Sequence, residues 1–491
     1  MGNLKIGWAE ETITPNKKIK LAGQFVERIS EYVESPVTVT AMAVETDQDH
    51  MVICSCDLVS IGENLLARVR EMLKDFDSSL SPEKIIISAT HTHTSHVYSR
   101  EGTDRISSLE VLKRYLPEGK EYKEKVTGDV MTSDEALHYL VNQITKAVKA
   151  AWNSRKEAYY ANEFGRAVVG MCRRACYDDG SAKMWGDTNT ANFTHLEGGN
   201  DSGIELLYTF DKNKKLTGVV ANIACPAQAV QHRSFISSDF WGKIKILLRE
   251  KFGEDLYVLG LCSAAGDQCP VDLIRWVEPE TPIDDPNIKR EHVIERKADP
   301  SMFDIKGAWK VGKRVANEII DVYEEITELK DDAFLKHHVV NLDLPVRRVT
   351  IQEYNQAKKI LEDYVKNSSK NEFNYEDSAY MHVCAGTIAR FEEQQTKDIQ
   401  TIEMHIVRLD DVAIATNPFE LFLDYGNQIR ARSKAKQTFL IQLACGSQGY
   451  LPTEKAEKGG HYSAYVSSGI TGHQGGELLV RKTVETINSM W

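Results

Sequence analysis

The segment that most constrains this chain is Ile85-Ile86-Ile87-Ser88-Ala89-Thr90-His91-Thr92-His93-Thr94-Ser95-His96. A three-isoleucine run is the signature of a strand covered on both faces, and here it runs directly into a His-x-His pair. Residues two apart on an extended chain point to the same side, so two imidazoles are predicted to converge at a strand end. Paired imidazoles of this kind approach a zinc ion, one binding and the other acting beside it, unless loop carbonyls satisfy both rings. The same segment therefore predicts a buried sheet and a candidate metal site at its edge.

Alternation in Val37 to Val44, the run Met51 to Cys56 and the run Ile85 to Ser88 predict three strands, with a helix over Asn64 to Phe76. Residues 98–156 carry a charged, helical pattern and are expected to form an insertion packed against the sheet. Strands resume at Ile204 to Phe210 and Val219 to Cys225. A helix over Asp239 to Phe252, capped by Ser237 or Ser238, precedes a strand at Leu256 to Leu261. Four of the thirteen prolines fall in residues 278–300, which reads as a charged surface loop. Asp304 to Ile326 reads as a long amphipathic helix. From Lys336 onward a strand, two helices and the strands Ile402 to Arg408, Val412 to Thr416 and Thr438 to Leu443 make residues 335–491 a strand-rich third. The expected fold class is α/β, with mixed sheets flanked by helices in one layered hydrolase-type domain spanning 1–491.

Composition narrows the partners. A formal net charge of -12 argues against a nucleic-acid groove or an anionic membrane surface, so a small or neutral substrate is expected. No stretch has the roughly 18 apolar residues of a membrane span, and the opening residues show no apolar signal core. As written the chain reads as cytoplasmic; a periplasmic or secreted protein whose leader had been removed would read the same. Nine cysteines, mostly in apolar runs, read as buried reduced thiols, and Cys172 with Cys176 lacks the second pair that a zinc knuckle needs.

Three further segments follow apolar strands. Asn222-Ile223-Ala224-Cys225-Pro226 precedes Ile236-Ser237-Ser238-Asp239. Cys262-Ser263-Ala264-Ala265-Gly266-Asp267-Gln268-Cys269-Pro270 has small residues that let a ligand approach the backbone. Asn417-Pro418-Phe419-Glu420, then Gly449-Tyr450-Leu451-Pro452-Thr453 and Gly459-Gly460-His461-Tyr462, offers a carboxylate and two tyrosines for a cation and a polar ligand.

In this order the segments resemble the neutral/alkaline non-lysosomal ceramidase family, whose members carry Thr-His-Thr-His, a zinc-binding histidine ahead of Ile-Ser-x-Asp, Gly-Asp-x-Ser-Pro, Pro-Gly-Glu and Gly-Tyr-x-x-Thr with a second tyrosine. The resemblance runs from Leu21-Ala22-Gly23 to the C-terminal helix. It implies a zinc-dependent hydrolase, with about one zinc per chain, whose metal-activated water attacks an amide, ester or related bond. His91, Glu420 and Tyr450 would be metal ligands and His93 would face the reacting water. Arg173 and Tyr462 would hold a substrate oxygen, and Gly23 and Asp267 would line the pocket. Two positions depart from the pattern: Cys225 stands where the second zinc-binding histidine belongs, with His232 the alternative donor, and Cys269 replaces the loop serine. Cys225 is expected to complete the metal shell, and Cys269 to sit beside the pocket. The sequence ends soon after the last motif and is expected to lack the extra β-domain of long ceramidases, so ceramide itself is not the expected substrate. The expected substrate is a small neutral amide, ester or related compound, such as a lipid amide; the alternatives are a saccharide on the same metal scaffold and a non-catalytic binding homologue.

Overall fold

The computed structural model describes residues 4–100, 107–117, 120, 128–277, 298–370 and 372–491. Most of the proline-rich stretch, and parts of the helical insertion, lie outside the described residues. The larger sheet contains β1 (Lys5–Thr12), β2 (Thr38–Glu45), β3 (His50–Cys56), β4 (Ile85–Ala89), β5 (Lys156–Arg166), β6 (Gly203–Asp211), β7 (Leu216–Ile223) and β8 (Tyr257–Cys262). Its strand order is β8-β7-β6-β5-β1-β2-β3-β4. Only Lys5 and Ile6 pair across to β5, so a narrow corner joins two four-stranded halves.

The halves fold over each other. Trp8 on β1 donates its indole N–H to Thr209 on β6 at 3.0 Å, and Ser55 on β3 donates to the Gly260 carbonyl on β8. Gly218 on β7 has no side chain because the Trp8 ring fills that space: a Cβ there would come within 2.4 Å of it. Helix Ser133–Asn153, part of the expected insertion, packs on β1 and β2 with Leu140, Ile144 and Val148 fully buried. Helices Phe240–Phe252 and Asp304–Glu324 pack together and cover the other half. A second sheet, ordered β9 (Leu335–Pro345), β10 (Ile399–Leu409), β11 (Val412–Thr416) and β12 (Gln437–Ile441), rests on β6, β7 and β8 through β12.

Several expectations need correction. Helix Phe240–Phe252 is capped by Asp239, not by a serine: at φ 56° its carboxylate accepts the Phe240 N–H at 2.7 Å. The strand expected to reach Cys225 ends at Ile223. β1 and β5 were not anticipated, since Glu10, Glu11, Glu157 and Glu163 give them a surface-like sequence. Glu10 is nevertheless paired with Lys245 and Arg249, and these partners outweigh burial to bring its pKa down to about 2. All nine cysteines are free thiols, as their apolar settings predict. Among the described residues no helix is long and apolar enough to cross a membrane.

Within these two sheets three strand pairs are parallel: β3 with β4, β7 with β8, and β11 with β12. Parallel neighbours end at the same side, so each pair sends two loops from its C-terminal edge. In open α/β sheets those edges are where ligands bind.

Candidate metal centre

All six of these loops contribute to one place. From the loop after β3 comes the Val59 carbonyl, and from the loop after β4 comes His91, whose Nδ1 donates to it at 2.7 Å. His91 is not on an extended strand as its spacing predicts: β4 stops at Ala89, and His91 has φ 66°. A non-glycine residue there is strained by about 1–3 kcal/mol, and such strain clusters at functional sites. The turn still delivers the convergence expected of a strand, with Nε2 of His91 only 3.2 Å from Nε2 of His93.

The protonation of this pair follows from its neighbours. Because His91 Nδ1 donates to a carbonyl, its Nε2 carries the lone pair. The loop after β7 supplies Gln228, whose side-chain N–H donates to His93 Nε2 at 2.8 Å while its carbonyl accepts from Arg173 at 3.1 Å. Gln228 is thereby held in one orientation, and His93 Nε2 is also an acceptor. Two nitrogens without protons thus lie 3.2 Å apart, that of His93 bonded to Gln228 and that of His91 left with a free lone pair. Burial drives the pKa of both histidines down, with His91, Arg28 and Arg173 adding to the effect on His93, so both rings are neutral as metal ligation requires.

Glu420, after β11, brings a carboxylate oxygen to 3.5 Å from His91 Nε2. It pairs in parallel with Tyr450, which hydrogen-bonds the Glu420 carboxylate; burial foremost, then Glu420, pushes the phenol well above its ordinary pKa. Gln442, after β12, holds this segment by accepting from the amides of Leu421 at 2.9 Å and Ala265 at 3.1 Å. Ala265 and Gly266 belong to the loop after β8. Gly266 has to be glycine, because a Cβ would lie 2.4 Å from the Glu420 carbonyl.

Arg173 is 2% exposed and donates from Nη2 to the Gly266 carbonyl at 3.0 Å, yet its buried Nε has no hydrogen-bond partner. Burial lowers its pKa, but Tyr462, Tyr450, Cys269 and Glu420 outweigh burial and raise it overall. Tyr462 accepts from Trp185 Nε1 at 3.2 Å, and its ring stands 6.2 Å from that of Tyr450. Gly23, at φ 93°, lies against His93, whose ring a Cβ there would meet at 2.4 Å. Arg28 fastens this rim by donating to the carbonyls of His93, Ala22 and Arg233.

The structure brings together His91, His93, Glu420, Tyr450, Arg173, Tyr462 and Gly23. Cys225 is buried nearby in sequence to Gln228, but its thiol donates to the Val169 carbonyl at 3.4 Å. It does not join His91 and Glu420 in a cluster: among the described residues, the only three His, Cys, Asp or Glu donors within 4.8 Å of one another are Glu403, His405 and Cys445. His232 stacks on Phe303 with ring centres 4.5 Å apart, its Nε2 3.6 Å from Asp304. Asp267 accepts the Leu423 N–H at 2.9 Å and burial lifts its pKa to about 6, so it ties its loop to the Glu420 segment. Cys269 pairs with Met171 in a short two-strand ladder, its thiol donating to the Val271 carbonyl at 3.4 Å. Gln228, Gln442, Trp185 and Arg28 were not foreseen, for none lies in a recognisable motif.

This arrangement of sheets and helices is the fold of the neutral ceramidases. The neutral ceramidase of Pseudomonas aeruginosa matches over 100% of this chain and 75% of its own, with a TM-score of 0.66 at 13% identity. A ceramidase structure described as complexed with C2 matches with the same coverage and identity and a TM-score of 0.68. No family model and no curated protein matches the sequence.

Proposed function

We propose that this protein is a zinc-dependent hydrolase of the amide, or a related bond, of a small neutral substrate bearing an apolar portion. The carrying observation is the lone pair that His91 presents at Nε2, with His93 Nε2 at 3.2 Å and the Glu420 carboxylate at 3.5 Å from it. A nitrogen, carboxylate and phenol donor set of this kind suits zinc. The donors that would hold it are His91, Glu420 and Tyr450. When bound there, zinc would lower the pKa of a water and polarise the scissile carbonyl.

The chain's own residues account for the rest. His93, held by Gln228, is placed to take a proton at Nε2 and return it to the leaving group. The unpartnered Nε of Arg173 and the hydroxyl of Tyr462 are the donors for the oxyanion that develops on the substrate, each worth about 3 kcal/mol when well placed. For a fourth metal donor, Cys225 would have to turn away from the Val169 carbonyl, to which its thiol donates at 3.4 Å. Phe25, 64% exposed and 5.7 Å from the Tyr462 ring, forms an apolar rim. That rim, and the ceramidase fold, support a lipid amide over a saccharide.

The test is elemental analysis of protein never exposed to chelators, combined with hydrolysis of a short-chain N-acyl sphingoid amide. Bound zinc and turnover that are both lost in His91→Ala are expected. Turnover that survives in metal-free protein would overturn the proposal.

A further inference from the structure

A second cluster of donor atoms flanks the opposite end of β4 from His91. Cys445 donates its N–H to Ile87 and its sulfur lies 3.9 Å from the Ile85 carbonyl, beside the start of the strand. Glu403 and His405 come from β10. His405 Nε2 is 2.8 Å from Glu403 Oε1 and 3.4 Å from Cys445 Sγ, so one nitrogen faces both other donors.

That geometry excludes a relay of the Cys-His-Glu kind, in which the carboxylate and the thiol address different nitrogens of the ring. Here the other nitrogen, Nδ1, is 2.9 Å from His337 Nε2. His337 in turn places its Nδ1 3.3 Å from the His50 carbonyl, an atom that only accepts. The chain of tautomers follows: His337 donates to His50, its Nε2 accepts from His405 Nδ1, and a neutral His405 is left with its lone pair at Nε2. On a neutral His405 that nitrogen meets a carboxylate oxygen at 2.8 Å, a contact that only a proton or a metal cation on Nε2 can bridge.

The surroundings hold the donors in place. Arg70 grips both Glu403 oxygens, each at 2.8 Å, and fixes the plane of the carboxylate. Leu443 and Cys445 both adopt left-handed backbone, at φ 53° and 56°, which turns the thiol toward His405. The cluster opens on a pocket of about 250 Å³ lined in part by Arg70, Glu63, Pro418 and Gln448, so water can complete a coordination shell.

We infer that Cys445, His405 and Glu403 form a second, independent site for a zinc-type divalent cation, with its open position on this pocket. Imidazole, thiolate and carboxylate are together a borderline-soft set that favours zinc over magnesium or calcium. Binding breaks the Cys445 S–H bond and forms a sulfur–metal bond, and the one proton goes to solvent. His405 coordinates through Nε2, any proton held there also passing to solvent, and no electron is transferred.

The test uses the full chain, stripped with chelator, dialysed and titrated with Co²⁺, whose thiolate complexes show a sulfur-to-metal charge-transfer band in the near ultraviolet. The band is expected in the wild type, in His91→Ala and in Cys225→Ser, and is expected to vanish in Cys445→Ser. His337→Ala leaves all three donors in place and should weaken Co²⁺ binding about 10–100-fold by freeing the His405 ring. A wild type without the band, a band that survives Cys445→Ser, or undiminished affinity in His337→Ala would each overturn the site. A band lost on Cys225→Ser would assign the thiolate to the His91 centre and overturn it as well. Because His91→Ala keeps the band, failure of the proposed hydrolase and failure of this site give different results.

Discussion

Gln228 donates to His93 Nε2 while accepting from Arg173, so one amide couples the His93 imidazole to the guanidinium. Replacing it with leucine removes the donor that fixes His93 and leaves Arg173 Nη1 without its side-chain acceptor. Gln228→Leu is expected to lower kcat about 10–100-fold, the usual cost of losing a supporting hydrogen bond, with zinc content unchanged. Steady-state kinetics beside elemental analysis checks this; loss of metal in parallel with activity would make Gln228 a support of the ligands instead.

His91→Ala and His93→Ala separate binding from proton transfer. The first is expected to lose metal and activity together, and the second to lose activity while keeping most of the metal. Isothermal titration with zinc on both variants reads the difference. Equal loss of affinity would make His93 the fourth ligand.

The cysteines give opposite outcomes for structural and chemical roles. Cys225→Ser is expected to bind zinc at the His91 centre as tightly as the wild type, since the thiol is held by the Val169 carbonyl; a large loss of affinity would make it a ligand. Cys269→Ser is expected to retain turnover, since a hydroxyl can also donate to Val271. A covalent adduct trapped on Cys269 during turnover would refute that expectation.

Acid should destabilise the metal-free protein. Burial lowers the pKa of His96 to about 4 and of His232 and His337 to about 3, from an ordinary 6.5; neighbouring Arg233 adds to it at His232 and His405 at His337. Below pH 6.5 the unfolded chain binds three protons that the folded chain refuses, so their stabilising contribution is lost as pH falls. Asp239 and Asp267, lifted by burial to about 6 from 3.8, act in the opposite sense between those values. For these five groups, three protons against two leave a net loss on the order of 2–3 kcal/mol between pH 6.5 and pH 5. His91 and His93, also lowered by burial, act in the same direction. A urea midpoint that holds or rises at pH 5 would contradict this.

The central strands of both sheets were readable because their apolar runs are unbroken, and Val412–Thr416 emerged with its observed limits. Lys5–Thr12 was missed because Glu10 turns inward to Lys245 and Arg249, a pairing visible only in three dimensions. At the site, residues at strand ends next to small or proline-rich turns were legible as motifs: His91, Glu420, Tyr450. Their order was recognisable despite 13% identity to the structural neighbours, because strand interiors accept any apolar side chain whereas loop ends must present particular donors. Gln228 and Gln442 carried no such mark, since a glutamine fixed by two partners looks like any other glutamine in sequence.

Because the candidate metal centre draws on the loops that follow three parallel pairs, from Val59 to Gln442 and on to Tyr450, none of it is local. Pairings of such long sequence separation form late. During synthesis the histidines emerge long before the carboxylate and the phenol. Any fragment ending before Glu420 therefore carries His91 and His93 without their anionic partner. Zinc uptake at the proposed centre would thus report that the last third of the chain has docked.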